Sequence, residues 1–251
     1  LIANGIADFG IVGPLGLFSQ HSAGADLVGV YAVVQHETGR LVFNADRSDI
    51  EHPRDLDGLT YGGFGTNWET TLIGSMIRAD GGKGEFENVT LGTSAYEALA
   101  NGAVDFTLDV STWEGVQAAM TGHAQRSFTY ADYGVPDQYT TMIGSSAAYL
   151  ADHPDDARAF LAATERGYAY AAAHPDEATD ILMAASNDML TDRAFVRASM
   201  QALIDGHYLI GADGAIGTMD DARMAQLAAW LFDNGMLTDG NGNALPALPD
   251  V

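Results

Sequence analysis

The chain contains no cysteine and only one lysine, Lys83, among its 251 residues. Its 11 basic side chains face 34 acidic ones, giving a formal net charge of -23. Each shortage excludes a class of function. Without cysteine there are no thiolate zinc sites, iron–sulfur clusters, disulfide staples or thiol nucleophiles. A surface this negative is repelled by phosphate backbones and by anionic membranes alike. No apolar run approaches the roughly 18 residues that a spanning helix needs. The seven histidines fall into no metal-ligand spacing, and no G-x-S-x-G nucleophile elbow occurs. The chain opens on Leu1, which reads as the start of a processed or truncated product.

What remains is a strand–helix rhythm punctuated by glycine. Strands are expected at 8–12, 27–34, 40–45, 59–64, 88–91, 104–110, 126–130 and 139–144. The run 27–34 is short, apolar and β-branched, as buried parallel strands are. Helices are expected at 68–79, 94–101, 112–121, 192–205 and 219–234. His153-Pro154-Asp155-Asp156-Ala157 and His174-Pro175-Asp176-Glu177-Ala178 are paired helix starts. Each sets proline at a first helical position, where its missing N–H costs nothing, with acids at the positive end of the dipole. The alternation predicts an α/β fold with mostly parallel sheets flanked by helices. The tail from Asp239 imitates a calcium loop through Asn241, Asn243 and Asp250. Ala244 stands where the loop needs glycine and Pro246 intrudes, so no metal site is expected.

The most informative segment is Tyr61-Gly62-Gly63-Phe64-Gly65-Thr66-Asn67-Trp68-Glu69. Glycines at a strand end let the backbone approach a bound molecule, and the helix behind offers free N–H groups. The spacing is neither G-x-x-x-x-G-K-[ST] nor G-x-G-x-x-G, which excludes a nucleoside-triphosphate loop. Aromatic residues gather after strand ends: Phe64, Trp68, Trp113, Tyr130, Tyr133 and Tyr139. Open α/β sheets hold ligands there, and flat rings stack well on aromatic faces. Asp105 and Asp109 share one face of a strand, with Asp109 placed to accept a hydrogen bond from ligand. Glu69 reads equally as a ligand acceptor or as an acid stabilising a helix N-terminus.

Several segments together resemble the substrate-binding proteins of ABC importers, in the branch that takes thiamine pyrimidine precursors, riboflavin, sulfonates and nitrate. They are Ala7-Asp8-Phe9-Gly10 with Gly13-Pro14, Asp55-Leu56-Asp57-Gly58-Leu59, and Gly102-Ala103-Val104-Asp105. Thr112-Trp113-Glu114-Gly115, Asp132-Tyr133-Gly134-Val135-Pro136 and the stretch from Arg166-Gly167-Tyr168 to Ala178 continue the series. The similarity runs from residue 1 to about 235. It implies a two-lobed type II periplasmic binding protein fold, with ligand held in a cleft and released by hinge opening. On that basis residues 1–48 and 175–251 form the first lobe and 49–174 the second. Family members carry a β-α-β unit ahead of the segment that opens this chain, so the first lobe is expected to be incomplete at its N-terminus.

The resemblance further implies a periplasmic or extracellular monomer, with or without a lipid anchor, that hands its ligand to an ABC permease. No enzyme activity, cofactor or metal is expected. The ligand-binding residues expected are Gly13, Pro14, Gln35, Phe64, Gly65, Thr66, Asn67, Trp68, Glu69, Asp109, Trp113, Tyr133 and Tyr139. A sulfonate or nitrate site needs donors and usually a cation. No lysine or arginine lies in the glycine loop or beside Trp113 in sequence. The expected ligand is therefore an aminopyrimidine thiamine precursor or a riboflavin-like ring, with a sulfonate or nitrate as the alternative. A pyrimidine-synthase-like enzyme would need a cysteine-rich motif that is absent, and a sensing module would need an output domain.

Overall fold

Proline and acid placement decides where the longest helix pair begins. In the computed structural model, which describes residues 1–248, α6 (Pro154–Ala173) and α7 (Pro175–Ala185) both carry proline in the first turn. His174 ends one and caps the other. The pairing reaches further back than the pentapeptides. Tyr149 stacks on His153 at 4.8 Å and Tyr170 on His174 at 4.4 Å, so each start is preceded by the same ring contact.

Eight strands and nine α-helices are described. The strands are β1 (Phe9–Val12), β2 (Val28–Ala32), β3 (Gly39–Asn44), β4 (Thr60–Gly63), β5 (Glu87–Thr90), β6 (Phe106–Val110), β7 (Gln125–Thr129) and β8 (Met142–Ser145). Between them lie α1 (Pro14–Ser22), α2 (Asn67–Ala79), α3 (Ser94–Ala100) and α4 (Glu114–Thr121). After β8 come α5 (Ala147–Asp152), α6, α7, α8 (Arg193–Asp205) and α9 (Asp221–Asp233). Among the described residues no helix is long and apolar enough to cross a membrane. In the tail, the Asp239 carboxylate accepts the N–H groups of Asn241 and Asn243, both at 2.8 Å, which closes a local turn. Asp250 lies outside the described residues.

The chain divides into two compact units, residues 38–136 and the remainder on either side. This moves both expected boundaries, from 48/49 to 37/38 and from 174/175 to 136/137. The reason is strand membership. β3 pairs with β6 and β7, and so belongs to the inserted unit. β8 lies between β1 and β2, and so brings the chain back before α6 begins.

In the inserted unit the sheet order is β5-β4-β6-β3-β7; in the other unit it is β1-β8-β2. The α/β class is as expected, but the strand pairing is less parallel. Among the described residues only β4–β5 and β4–β6 pair in parallel. In each sheet the strand on which the chain enters, β3 or β8, runs against all the others and sits between two of them. Periodicity reports burial and not direction, so this reversal left no mark in the sequence.

The two cores are built separately. In the inserted unit Leu41, Val42 and Phe43 of β3 are fully buried, on a strand paired on both edges by β6 and β7. α2 adds Leu72, Ile73, Met76 and Ile77, while Leu99 packs on Val42 and Val104. In the other unit Leu17, Leu27, Ala32, Tyr139 and Met142 form one cluster, and Tyr31, Val33 and Ile143 another.

Candidate functional site

Strand direction brings the inserted unit's candidates to one rim. β4, β5, β6 and β7 all end there, and the reversed β3 begins there with Gly39 and Arg40. The loop after β4 carries Phe64, Gly65 and Thr66, and α2 opens with Asn67 and Trp68. The loop after β6 carries Trp113, and a 3-10 turn after β7 (Tyr130–Tyr133) carries Tyr133. Phe64 is 52% exposed and Trp113 36%, large values for such rings. Tyr133 is half-buried, edge-on to Phe128 at 5.7 Å. Tyr130 is core, as its 5% exposure shows. Gly65 takes a positive φ of 74°, and a Cβ built there would lie 2.4 Å from Thr90 Oγ1. Glycine is therefore demanded by the turn itself.

Glu69 is not a ligand acceptor. It is 5% exposed, and Oε1 accepts from the Tyr61 hydroxyl (2.8 Å) and the Phe64 N–H (2.9 Å). Oε2 accepts from the Thr66 N–H (2.7 Å) and Thr66 Oγ1 (2.9 Å). The Glu69 N–H donates back to Thr66 Oγ1, completing a capping box at the start of α2. Burial alone would push the Glu69 carboxyl up. The Phe64 and Thr66 N–H groups, with the Tyr61 hydroxyl, outweigh that and hold it below its usual value. Of the two readings open in the sequence, the helix-capping one holds.

Asp109 is likewise occupied. The residue is 3% exposed, and its carboxylate accepts from the Arg40 guanidinium, Nε to Oδ1 (3.1 Å) and Nη2 to Oδ2 (2.6 Å). Burial pushes its carboxyl above the usual range, against the opposing pull of Arg40. Arg40 also lies against the first turn of α4, where a Cβ on Gly115 would fall 2.4 Å from its Nη2. A cation thus does stand against Gly115, which follows Trp113 by two positions. Sequence distance hid it, because β3 and β6 are far apart in the chain and adjacent in the sheet. Asp105, on the same strand face, is tied to Arg47 Nη1 at 2.5 Å and accepts the Thr60 N–H at 2.8 Å. Glu114 accepts the Val110 N–H at 3.1 Å. Asp109 within β6, Asp105 just before it and Glu114 at the start of α4 are thus each engaged by the protein.

Four candidates belong to the other unit. Gly13 and Pro14 open α1, as N-cap and first residue, and Pro14 is buried. Gln35 is 6% exposed, and its Nε2 donates to the Ala32 carbonyl at 2.8 Å. Its own carbonyl accepts Arg223 Nη1 at 2.6 Å. Tyr139 is a core residue and not a stacking platform. It is 3% exposed, its hydroxyl accepts the Asp220 N–H at 2.8 Å, and the Arg223 guanidinium covers its ring at 4.7 Å. Asp137 binds His36 Nδ1 (2.7 Å) and the Glu37 N–H (2.9 Å), with Arg223 at 3.4 Å. Sequence reading missed Arg223, Asp137 and His36, since no local motif contains them.

A family model described as "NMT1/THI5 like" matches residues 1–178. The chain belongs to that family. This NMT1/THI5-like chain is 26% identical over 213 residues to the formylaminopyrimidine-binding protein of Halalkalibacterium halodurans. The match covers 82% of the chain and 62% of the relative, so the chain spans less than two thirds of that relative's length. Its fold is that of the periplasmic aliphatic sulphonate binding protein SsuA from Escherichia coli. There the TM-score is 0.71 at 17% identity, over all of this chain and 79% of the other. The alkanesulfonate-binding protein SsuA from Xanthomonas axonopodis pv. citri, bound to MOPS, gives 0.67 at 15%, over 95% of this chain and 79% of that one.

Proposed function

We propose that this protein is the extracytoplasmic solute-binding component of an ABC importer and captures a small, uncharged heterocycle of the aminopyrimidine type. The observation that carries the reading is the rim of the inserted unit. It presents two exposed aromatic faces, Phe64 and Trp113, over a backbone whose nearby charges are already matched within the fold. A planar ring gains burial and stacking at such a place, whereas an ion would find no unmatched partner. Asn67 and the Gly65 turn flank the Phe64 face. The name of the Halalkalibacterium relative points the same way. The riboflavin alternative has no counterpart among these relatives. A permease as partner and a periplasmic or extracellular location follow from the same reading, with no catalytic step required.

A second reading, a sulfonate binder, is favoured by the names of the structural neighbours. Calorimetry with formylaminopyrimidine and with ethanesulfonate separates the two. The pyrimidine should bind and the sulfonate should not. Trp113→Ala should weaken pyrimidine binding by about tenfold or more, through one lost stacking face and its burial. Unchanged affinity in a variant that still melts cooperatively would remove Trp113 from the site.

A further inference from the structure

The Arg40–Asp109 pair sits where an oxyanion would be bound if the arginine were unmatched. Arg40 is the cation of this rim, with 28% of its side chain exposed, and it rests on the first turn of α4. A guanidinium beside a helix N-terminus is a ready anion site, since fork-shaped donors and backbone N–H groups converge there. Here the anion is supplied by the protein. Asp109, on the strand directly paired with that of Arg40, fills the fork with its own carboxylate and is itself only 1% exposed in its side chain. Glu114, at the first position of α4, adds a second negative charge on the same side.

We infer that Asp109 is a specificity-determining residue: by masking Arg40 it turns a latent oxyanion site into one that rejects sulfonates and related anions and admits a neutral ring. This rests on the rim being the ligand site, as proposed above. It differs from a purely structural role in what it predicts. A structural ion pair, once broken, costs stability and weakens every ligand. A mask, once removed, creates affinity for a ligand that the native protein refuses. Specificity built on repulsion is expected to behave in the second way.

The test is calorimetric titration of ethanesulfonate into wild type, Asp109→Asn and Arg40→Met, with formylaminopyrimidine titrated in parallel. Wild type and Arg40→Met should show no sulfonate binding. Asp109→Asn, isosteric but uncharged, should gain at least about tenfold in sulfonate affinity, the equivalent of about 1.4 kcal/mol. An Asp109→Asn protein that melts cooperatively and still ignores sulfonate overturns the inference. So does wild type that binds sulfonate with Asp109 in place. If Asp109→Asn does not fold, the same unmasking is read in wild type by lowering the pH. Protonating Asp109, among its neighbours Arg40, Glu114 and Tyr96, should let sulfonate bind, and Arg40→Met should abolish the gain. A flat response, or a gain that survives Arg40→Met, overturns it equally. Failure of formylaminopyrimidine to bind wild type counts against the proposed ligand alone, because the sulfonate arms are read independently.

Discussion

Glu69 gives its two oxygens to four donors in a space that water does not reach. Glutamine in its place keeps the length but offers one acceptor oxygen, and its amide group would meet an N–H donor head-on. Glu69→Gln should therefore destabilise the protein by about 1–3 kcal/mol, the scale of a lost cap plus stranded donors. The effect has a pH signature. The folded carboxyl is held below its usual 4.5, so its contribution is complete above that value and fades as the pH falls through the lower folded value. Melting temperatures of wild type and Glu69→Gln should differ at neutral pH and draw together as the pH falls below 4.5 toward the lower folded value. A constant gap down to strongly acid pH would show that packing, and not charge, made the difference. Tyr139 tells a related story. Its ring bears Arg223 and its hydroxyl anchors the start of α9, so it serves the unit that holds Gln35 rather than a ligand.

Turn chemistry governs the element joining β4 to α2. Gly65 has a left-handed backbone, and an added Cβ would strike Thr90 at the end of β5. Gly65→Ala should cost about 1–2 kcal/mol through the backbone term alone. Pyrimidine affinity should fall with it, because Phe64 and Asn67 flank the strained residue. Thermal melts and calorimetry on one preparation check both, and an alanine variant with native stability would refute the turn argument. This loop, the strand–helix order and the proline-led helix starts were all legible in the sequence, since each depends on neighbours within one turn. The engagement of Asp109 by Arg40 and of Tyr139 by Arg223 was not. Those pairings join residues that only the sheet order or the return of the chain brings together. α5 was also missed, being short and directly followed by the His153-Pro154 start of α6.

For the whole molecule the dominant quantity is charge. Thirty-four acids against 11 bases leave a surface that repels itself in the folded state more than in the expanded one. Several arginines are spent on acidic neighbours: Arg47 on Asp49 and Asp105, Arg193 on Asp180, and Arg197 on Asp176. The remaining repulsion is long-ranged and screened by salt, over about 10 Å at 0.1 M. Raising sodium chloride from low to molar concentration should lift the melting temperature by a few degrees, on the order of 1 kcal/mol. A melting temperature that falls with salt would mean that the ion pairs outweigh the repulsion.

The reversed strands also set an order of events for the growing chain. β1 and β2 do not pair with each other; each pairs with β8, which lies beyond the whole of the 38–136 segment. β3, by contrast, finds β6 and β7 within its own segment. A chain emerging N-terminus first can complete the inner sheet while the outer one still waits for its middle strand. Until Met142–Ser145 arrives, β1 and β2 are unpaired apolar strands, the kind of surface on which chaperones act and aggregation begins.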